Sequence, residues 1–481
     1  MKTKLLISVI LIINCQLSIF NCSAQYLKIC SLTPFNGQYP KGSLISDGTY
    51  LYGMASFGGA NNDGTIFKIK PDGTGYTKLH TFTNTNGQWP TGSLVSVDSF
   101  LYGMTTDGVT SGAGVIFKLK PDGTNYTKLH DFTGANGNTP MGSLISDGTF
   151  LYGMTSRGGT HSSGVLFKIK HDGTGDTTLL NFTYYTANGN TPQGDLVSDG
   201  TFLYGMTACG GTGTCTTIGE PPGCGTIFKI KRDGTGDTTL FSFDSISGSI
   251  PTGSLIFDSI YLYGMTSSGG ENGYGTIFKI KRDGTGFSKL FDFDPAGGFG
   301  LNGTNPTGSL VSDGTFLYGM TEQGGTYGCG VFFKIKPDGT MFAKLLDFSG
   351  AANGCNPYGS LLYDGNFLYG MTSNGGTYSA GTIFKYALTT GIAENNAVIS
   401  FTIYPNPAKS NITLEFDLTE TKNISIEIKN ILGQTVKTID NRAFSNGKNK
   451  IEINVNEFSK GMYFAQLQSA NKIISTKFVK E

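Results

Sequence analysis

Residues 43–82 read SLISDGTYLYGMASFGGANNDGTIFKIKPDGTGYTKLHTF. Two turn signals cut this stretch. Asp47-Gly48 is a tight-turn pair, and Pro71-Asp72-Gly73 joins a fixed φ to a glycine able to take a positive one. Around them lie four short runs, Ser43–Ser46, Tyr50–Ala55, Thr65–Lys70 and Tyr76–Phe82. They predict four strands of one antiparallel sheet, and no helical period intervenes. In the second run Tyr50, Tyr52 and Met54 alternate with Leu51, Gly53 and Ala55, so both faces are apolar and both need cover. Gly53 is expected to let a neighbouring sheet come close.

The tetrapeptide Leu-Tyr-Gly-Met recurs seven times, starting at Leu51, Leu101, Leu151, Leu203, Leu262, Leu317 and Leu368. A period near 50 residues belongs to propeller blades, which cover both faces of each sheet by radial stacking. The seventh unit has its third strand, Thr382 to Tyr386, but no fourth. The missing piece stands at the other end of the array, where Tyr26-Leu-Lys-Ile-Cys-Ser-Leu32 resembles Tyr76-Thr-Lys-Leu-His-Thr-Phe82. That offset is useless to a linear β-solenoid, the alternative, and closes a ring. The expected fold is all-β: a seven-bladed β-propeller over residues 25–388, closed by an N-terminal strand.

Charge excludes a nucleic-acid binder: 35 basic residues balance 35 acidic ones, leaving no basic face for phosphate. Lys2, Lys4, the apolar run Leu5 to Ile13 and the small residues Cys22 and Ala24 predict a signal peptide over residues 1–24, with no membrane span after its removal. Export permits disulfides among the remaining Cys30, Cys209, Cys215, Cys224, Cys329 and Cys355. One bridge is expected among Cys209, Cys215 and Cys224, its pairing open, and Cys329 can pair with Cys355. No Cys-x-x-Cys occurs, and no metal or cofactor is expected.

In an antiparallel blade the short Asp-Gly turns fall on one face. The loops after strand two and those between blades fall on the other, where they vary. The inter-blade loop follows Asn-Gly-x-x-Pro-x-Gly-Ser-Leu. The slot before Pro holds Tyr39, Trp89, Thr139, Thr191, Ile250, Asn305 and Asn356; the slot after it holds Lys41, Thr91, Met141, Gln193, Thr252, Thr307 and Tyr358. These positions should ring the central opening. Trp89, the single Trp, can stack there on a sugar or a partner side chain, or pack over its own loop. Loop position three after Met adds Phe57, Asp107, Arg157 and Cys209 among others. Tyr39, Trp89, Arg157 and Tyr358 are the candidate ligand-binding residues. No catalytic set stands out: His80 and His130 share one scaffold position, and Asp107, Glu220, Glu271 and Glu322 read as solvated loop charges. The third-strand lysines, from Lys68 to Lys385, read as solvated residues of outer strands that discourage edge pairing.

The motifs Ser-Leu-x-Ser-Asp-Gly-x-x-Leu-Tyr-Gly-Met-Thr and Gly-Thr-Ile-Phe-Lys-Ile resemble the GloVer-type tandem repeat of bacterial choice-of-anchor proteins. That resemblance implies an exported propeller-like array and assigns no catalytic residue. After a linker at 389–399, residues 400–481 carry Tyr404-Pro405-Asn406-Pro407, Gly433, Gly461 and Tyr463, with alternating apolar residues that predict a small Ig-like β-sandwich. This segment resembles a type A sorting domain of the type IX secretion system. The resemblance implies that machinery as a partner, and a product released from or attached to the outer surface of a Gram-negative cell. Together these features predict an exported binding or scaffold protein with a glycan or protein ligand; the alternative is an extracellular polysaccharide- or peptide-degrading enzyme.

Overall fold

The structure, a computed structural model, describes residues 25–108, 112–184, 187–215, 223–294, 300–388, 398–418, 421–430, 435–469 and 472–481. The expected signal peptide and Gly433 lie outside them, as does most of the expected linker. The chain divides into two compact units, Gln25–Thr389 and one that holds Thr390–Glu481. Every named element is a strand.

The first unit contains seven four-stranded antiparallel sheets. In the first repeat the strands are Ile45–Ser46, Leu51–Ala55, Thr65–Ile69 and Thr77–Thr81. The opening strand is short because Asp47 ends it. Its Oδ1 accepts the N–H groups of Thr49 (2.8 Å) and Tyr50 (2.7 Å), and its Oδ2 accepts the Tyr52 hydroxyl (2.7 Å). The same carboxylate–tyrosine bond recurs in Asp147–Tyr152, Asp199–Tyr204, Asp258–Tyr263, Asp313–Tyr318 and Asp364–Tyr369.

These turns give the fold an acid limb. Burial alone would push the carboxyls up, but the turn N–H groups and the tyrosine hydroxyl outweigh it, holding Asp47, Asp147, Asp199, Asp258 and Asp313 below their ordinary range. A carboxylate lowered by folding stabilises above its unfolded pKa of about 4, and that contribution is lost as pH falls through the folded value. The melting temperature should therefore drop on going from pH 5 to pH 3. Asp47→Asn together with Asp313→Asn should start lower at pH 5 and fall less; an unchanged slope would remove these turns from the acid response.

The second strand is buried at every position from Leu51 to Ala55. Gly53 does not serve as expected. Its register partner is Phe67 of the same sheet, and a Cβ there would lie 2.6 Å from Phe67 Cζ. The glycine makes room for a ring of its own sheet, and Gly103 and Gly153 do the same for Phe117 and Phe167. Contact between sheets is made instead by that phenylalanine. Phe67 packs with Tyr369 and Met371 of the seventh sheet, Phe117 with Tyr52 and Met54 of the first, and Phe384 with Tyr318 and Met320 of the sixth. Seven such clusters link each sheet to the next, and the seventh to the first.

The third-strand lysines also depart from expectation. Their strand lies inside the sheet, between the second and fourth. Lys68 Nζ sits 4.7 Å from the Tyr50 ring centroid and donates to the carbonyl of Pro121 in the next sheet's turn at 3.2 Å. Lys118 and Lys279 make the same pair of contacts, and Lys168, Lys229, Lys334 and Lys385 lie over the corresponding rings. They are half-buried struts, each covering an aromatic ring of its own sheet.

The seventh sheet takes its outer strand from the start of the array. Tyr26–Ser31 pairs antiparallel with Thr382–Ala387, with Tyr26 opposite Tyr386 and Leu27 opposite Lys385. The Ala387 N–H donates to Gln25 O at 2.8 Å, and the Tyr26 hydroxyl donates to Asn353 O at 2.8 Å.

The second unit is a sandwich. One sheet orders Val398–Tyr404, Asn411–Leu418 and Gly447–Asn454; the other orders Thr435–Phe444, Lys422–Asn430, Gly461–Ser469 and Lys472–Lys480. Ile412, Leu414 and Phe416 of the first share one core with Ile426, Leu467 and Phe478 of the second.

Candidate functional site

The Pro-x-Gly-Ser segments that lead into each first strand meet in a circle. The Ser43 N–H donates to Ser93 Oγ (2.7 Å), Ser93 to Ser143 Oγ (2.7 Å), and Ser143 to Asp195 Oδ1. Asp195 then donates to Ser254 (2.7 Å), Ser254 to Ser309 (2.7 Å), Ser309 to Ser360 (2.7 Å), and Ser360 back to Ser43 (2.9 Å). The glycines before them form a second circle: a Cβ on Gly42 would lie 2.1 Å from Gly92 O, and one on Gly359 would lie 2.2 Å from Gly42 O. Inside is a cavity of about 60 Å³ lined by all seven segments. It has room for a few waters and none for a sugar ring. Asp195 is its one carboxylate. Burial pushes that carboxyl up, opposed by hydrogen bonds from Ser143 and Ser254.

The slot after Pro lines this cavity as expected: Lys41, Thr91, Met141, Gln193, Thr252, Thr307 and Tyr358 all reach it. Thr91, Thr252 and Thr307 spend their hydroxyls on the carbonyls of Met141, Thr307 and Tyr358. Lys41 Nζ stands 5.5 Å from the Tyr358 ring centroid. Glu322 adds a carboxylate to this group; burial pushes its carboxyl up, and Lys41 partly opposes the shift. Burial likewise pushes the Tyr358 hydroxyl up, reinforced by Glu322.

The slot before Pro has a property the sequence concealed. All seven residues, from Tyr39 (φ 52°) to Asn356 (φ 54°), are left-handed, and none is glycine. Each N–H donates to the loop of the preceding sheet, as Trp89 does to Asp63 O (2.9 Å) and Tyr39 to Ala380 O (3.1 Å). Each carbonyl accepts from the end of its own sheet's second strand, as Trp89 O does from the Thr106 N–H (3.3 Å). These two bonds offset a backbone cost of roughly 1 kcal/mol per residue. They also turn the variable side chain onto the loop face.

There the structure sorts the candidates. Tyr39 meets Phe57 edge-on at 5.8 Å, and Phe57 meets Trp89 at 6.0 Å, so an aromatic arc runs from the seventh–first connection to the first–second. Trp89 is 37% exposed; Tyr39 and Phe57 are half-buried. Tyr358 belongs with Lys41 at the cavity, and Glu322, outside the lining, acts electrostatically on both. Arg157 is exposed on the third sheet's loop, where its backbone pairs with Asn138. Phe57 gives no signal in the sequence because its loop position is filled elsewhere by Asp107, Arg157 and Cys209; the backbone bridge Gln38–Phe57 sets it beside Tyr39. The exposed Tyr184, Tyr274, Tyr327 and Tyr378 lie in loops of this same face.

Two disulfides brace the loops. Cys215 pairs with Cys224, settling the choice within the fourth sheet's loop, where Cys209 lies buried with its backbone bridged to Asn190. Cys329 pairs with Cys355, tying the sixth sheet's loop to the connection that follows it. His80 stacks on Tyr126 of the next sheet at 3.8 Å, and burial pushes its imidazole down to about 4. His130 faces Asp176 at 3.7 Å in the equivalent place. Both act between sheets. Among the described residues no group of three or more His, Cys, Asp or Glu is placed to hold a metal, and no helix is long and apolar enough to cross a membrane.

Repeated four-stranded sheets braced by recurring Asp turns, with the longer and more varied loops on the other face, define an all-β repeat protein. Residues 17–219 and 212–420 each match the Gloeobacter/Verrucomicrobia repeat, and the chain belongs to that family. Residues 402–481 match the secretion system C-terminal sorting domain. The protein is therefore secreted or attached to the outer surface of a Gram-negative bacterium, and its tail implies the type IX secretion machinery as a partner. No curated protein matches the chain in sequence. Among solved structures it is similar to PorZ of Porphyromonas gingivalis, a surface component of the type IX secretion system (12% identity, 93% of this chain, 59% of that one, TM-score 0.44). It is also similar to a putative 6-phosphogluconolactonase of Bacteroides fragilis (13%, 85% and 99%, 0.43) and to an ulvan lyase (11%, 74% and 95%, 0.38). No residue role passes from these structures to this chain.

Proposed function

We propose that residues 25–388 close into a seven-bladed propeller, that residues 400–481 form an Ig-like sandwich, and that the exported protein is a binding module whose variable face takes a carbohydrate chain. A signal peptide over residues 1–24 and a linker over 389–399 complete this reading. The closed ring is supported by the seven intersheet cores, the N-terminal strand in the seventh sheet and the serine circle. The ligand reading rests on one observation, the Tyr39–Phe57–Trp89 arc, whose rings stand half-open on the loop face. Ring faces of this kind stack on the apolar faces of sugars, and the arc spans two inter-blade loops as an extended chain would.

Removal of one such ring costs about 1 kcal/mol, or roughly fivefold in affinity. Titration of the mature protein against a panel of cell-wall and algal polysaccharides should find a ligand. Phe57→Ala with Trp89→Ala should then weaken it by about 30-fold while the melting temperature changes little. Unchanged affinity in the double variant would remove the arc from the site. A degradative enzyme is the second reading, favoured by Glu322, a carboxyl raised by burial beside Tyr358 and Lys41. Release of shortened product, lost in Glu322→Gln, is its signature.

A further inference from the structure

Three motifs of the last eighty residues are far apart in sequence, and the fold gathers them at one corner. Asn406 is the clasp. Its Oδ1 accepts the Val479 N–H at 2.9 Å and its Nδ2 donates to Lys477 O at 3.3 Å. Ala408 continues the tie: its N–H donates to Val479 O (2.8 Å), and its carbonyl accepts from Glu481 (2.9 Å). A carboxamide carries its donor and its acceptor on separate atoms, so one side chain can serve an N–H and a carbonyl of an open strand edge at once, which accounts for Asn at this place. The Gly461–Ser469 strand lies on the other side, with Met462 opposite Val479 and Tyr463 opposite Phe478.

The inward pair, Tyr463 and Phe478, stacks at 5.6 Å in the core. The outward pair stays outside that core. Met462 and Val479 are exposed side by side, and the exposed Lys460 and Lys477 border them. Two apolar side chains framed by cations fit a groove that is apolar at its floor and acidic at its rim.

We propose that the secretion machinery reads this folded corner, with Met462 and Val479 entering such a groove, and does not read the last strand as a linear tag. Asn406 then acts as a positioning residue that holds Val479 in place beside Met462.

The test is export of the full chain from a host with type IX secretion, scored as the fraction outside the cell. The variants are Met462→Glu, Val479→Glu and, as control, Val436→Glu, an equally exposed residue on the opposite edge strand of the same sheet. Met462→Glu and Val479→Glu should each lower export by roughly tenfold or more, the retained sorting domain staying protease-resistant, while Val436→Glu exports normally. Normal export of Met462→Glu alongside retention of Val479→Glu would establish the linear tag and overturn the proposal, as would normal export of both. If glutamate unfolds the corner, Lys460→Glu with Lys477→Glu decides: retention of a folded domain supports the groove, and normal export overturns it.

Discussion

Gly92→Val should abolish the soluble fold or destabilise it by more than about 3 kcal/mol, although the residue itself is only half-buried. Gly92 belongs to the inner circle. A Cβ there would lie 2.2 Å from Gly142 O and 2.6 Å from Gly142 C, both backbone atoms that cannot rotate away. Relief requires the segment to move outward, and that motion breaks the Ser43–Ser93 and Ser93–Ser143 bonds on either side. Because each segment bears on the next, the displacement is passed around the circle. Gly48→Ala is the informative control. Its φ of 86° carries the usual left-handed cost of about 1 kcal/mol, yet nothing lies within 4 Å of the added carbon. Denaturant unfolding of the two variants should differ by at least about 2 kcal/mol. Equal losses would mean the glycine circle is incidental.

Much of this architecture is legible from local residues. Asp47-Gly48 and Pro71-Asp72-Gly73 set turns within a few positions, and the 50-residue period repeats them until chance is excluded. The unmatched strands at Tyr26 and Thr382 were readable for the same reason: likeness to Tyr76–Phe82 is a comparison of sequence with sequence. What stayed hidden depends on partners distant in the chain. Gly53 looked like a spacer between sheets because its occupant, Phe67, is fixed by strand register and ring orientation. The lysines looked solvated because neither the Tyr50 ring under Lys68 nor the Pro121 carbonyl beyond it is implied by an alternating strand. The left-handed slot was concealed most completely. Tyr39, Trp89, Thr139 and Ile250 have no common liking for that conformation; two hydrogen bonds from different sheets impose it. Of the candidate site, the slots were legible and their grouping was not. Tyr39 and Trp89 are joined only through Phe57, whereas Tyr358 is drawn to Lys41.

Closure carries the site argument, because the loop face, the cavity and the arc all exist only if first and last sheets are neighbours. Leu27 and Lys385 are direct register partners across that seam, and Leu27 is exposed. Opposed Cβ atoms in such a pair lie about 4.5–5.5 Å apart, within small adjustment of a disulfide. The bridge Leu27→Cys/Lys385→Cys would span some 350 residues, so its constraint on the unfolded chain amounts to roughly 6 kcal/mol, reduced by loss of the Lys385–Phe367 contact. Intact mass and thermal melting of the oxidised double variant, before and after reduction, measure this directly. Spontaneous formation of the bridge in the monomer, with a melting temperature that falls on reduction, is the expected result. Free thiols at both positions, or bridges only between molecules, would contradict a ring that closes on its own first strand.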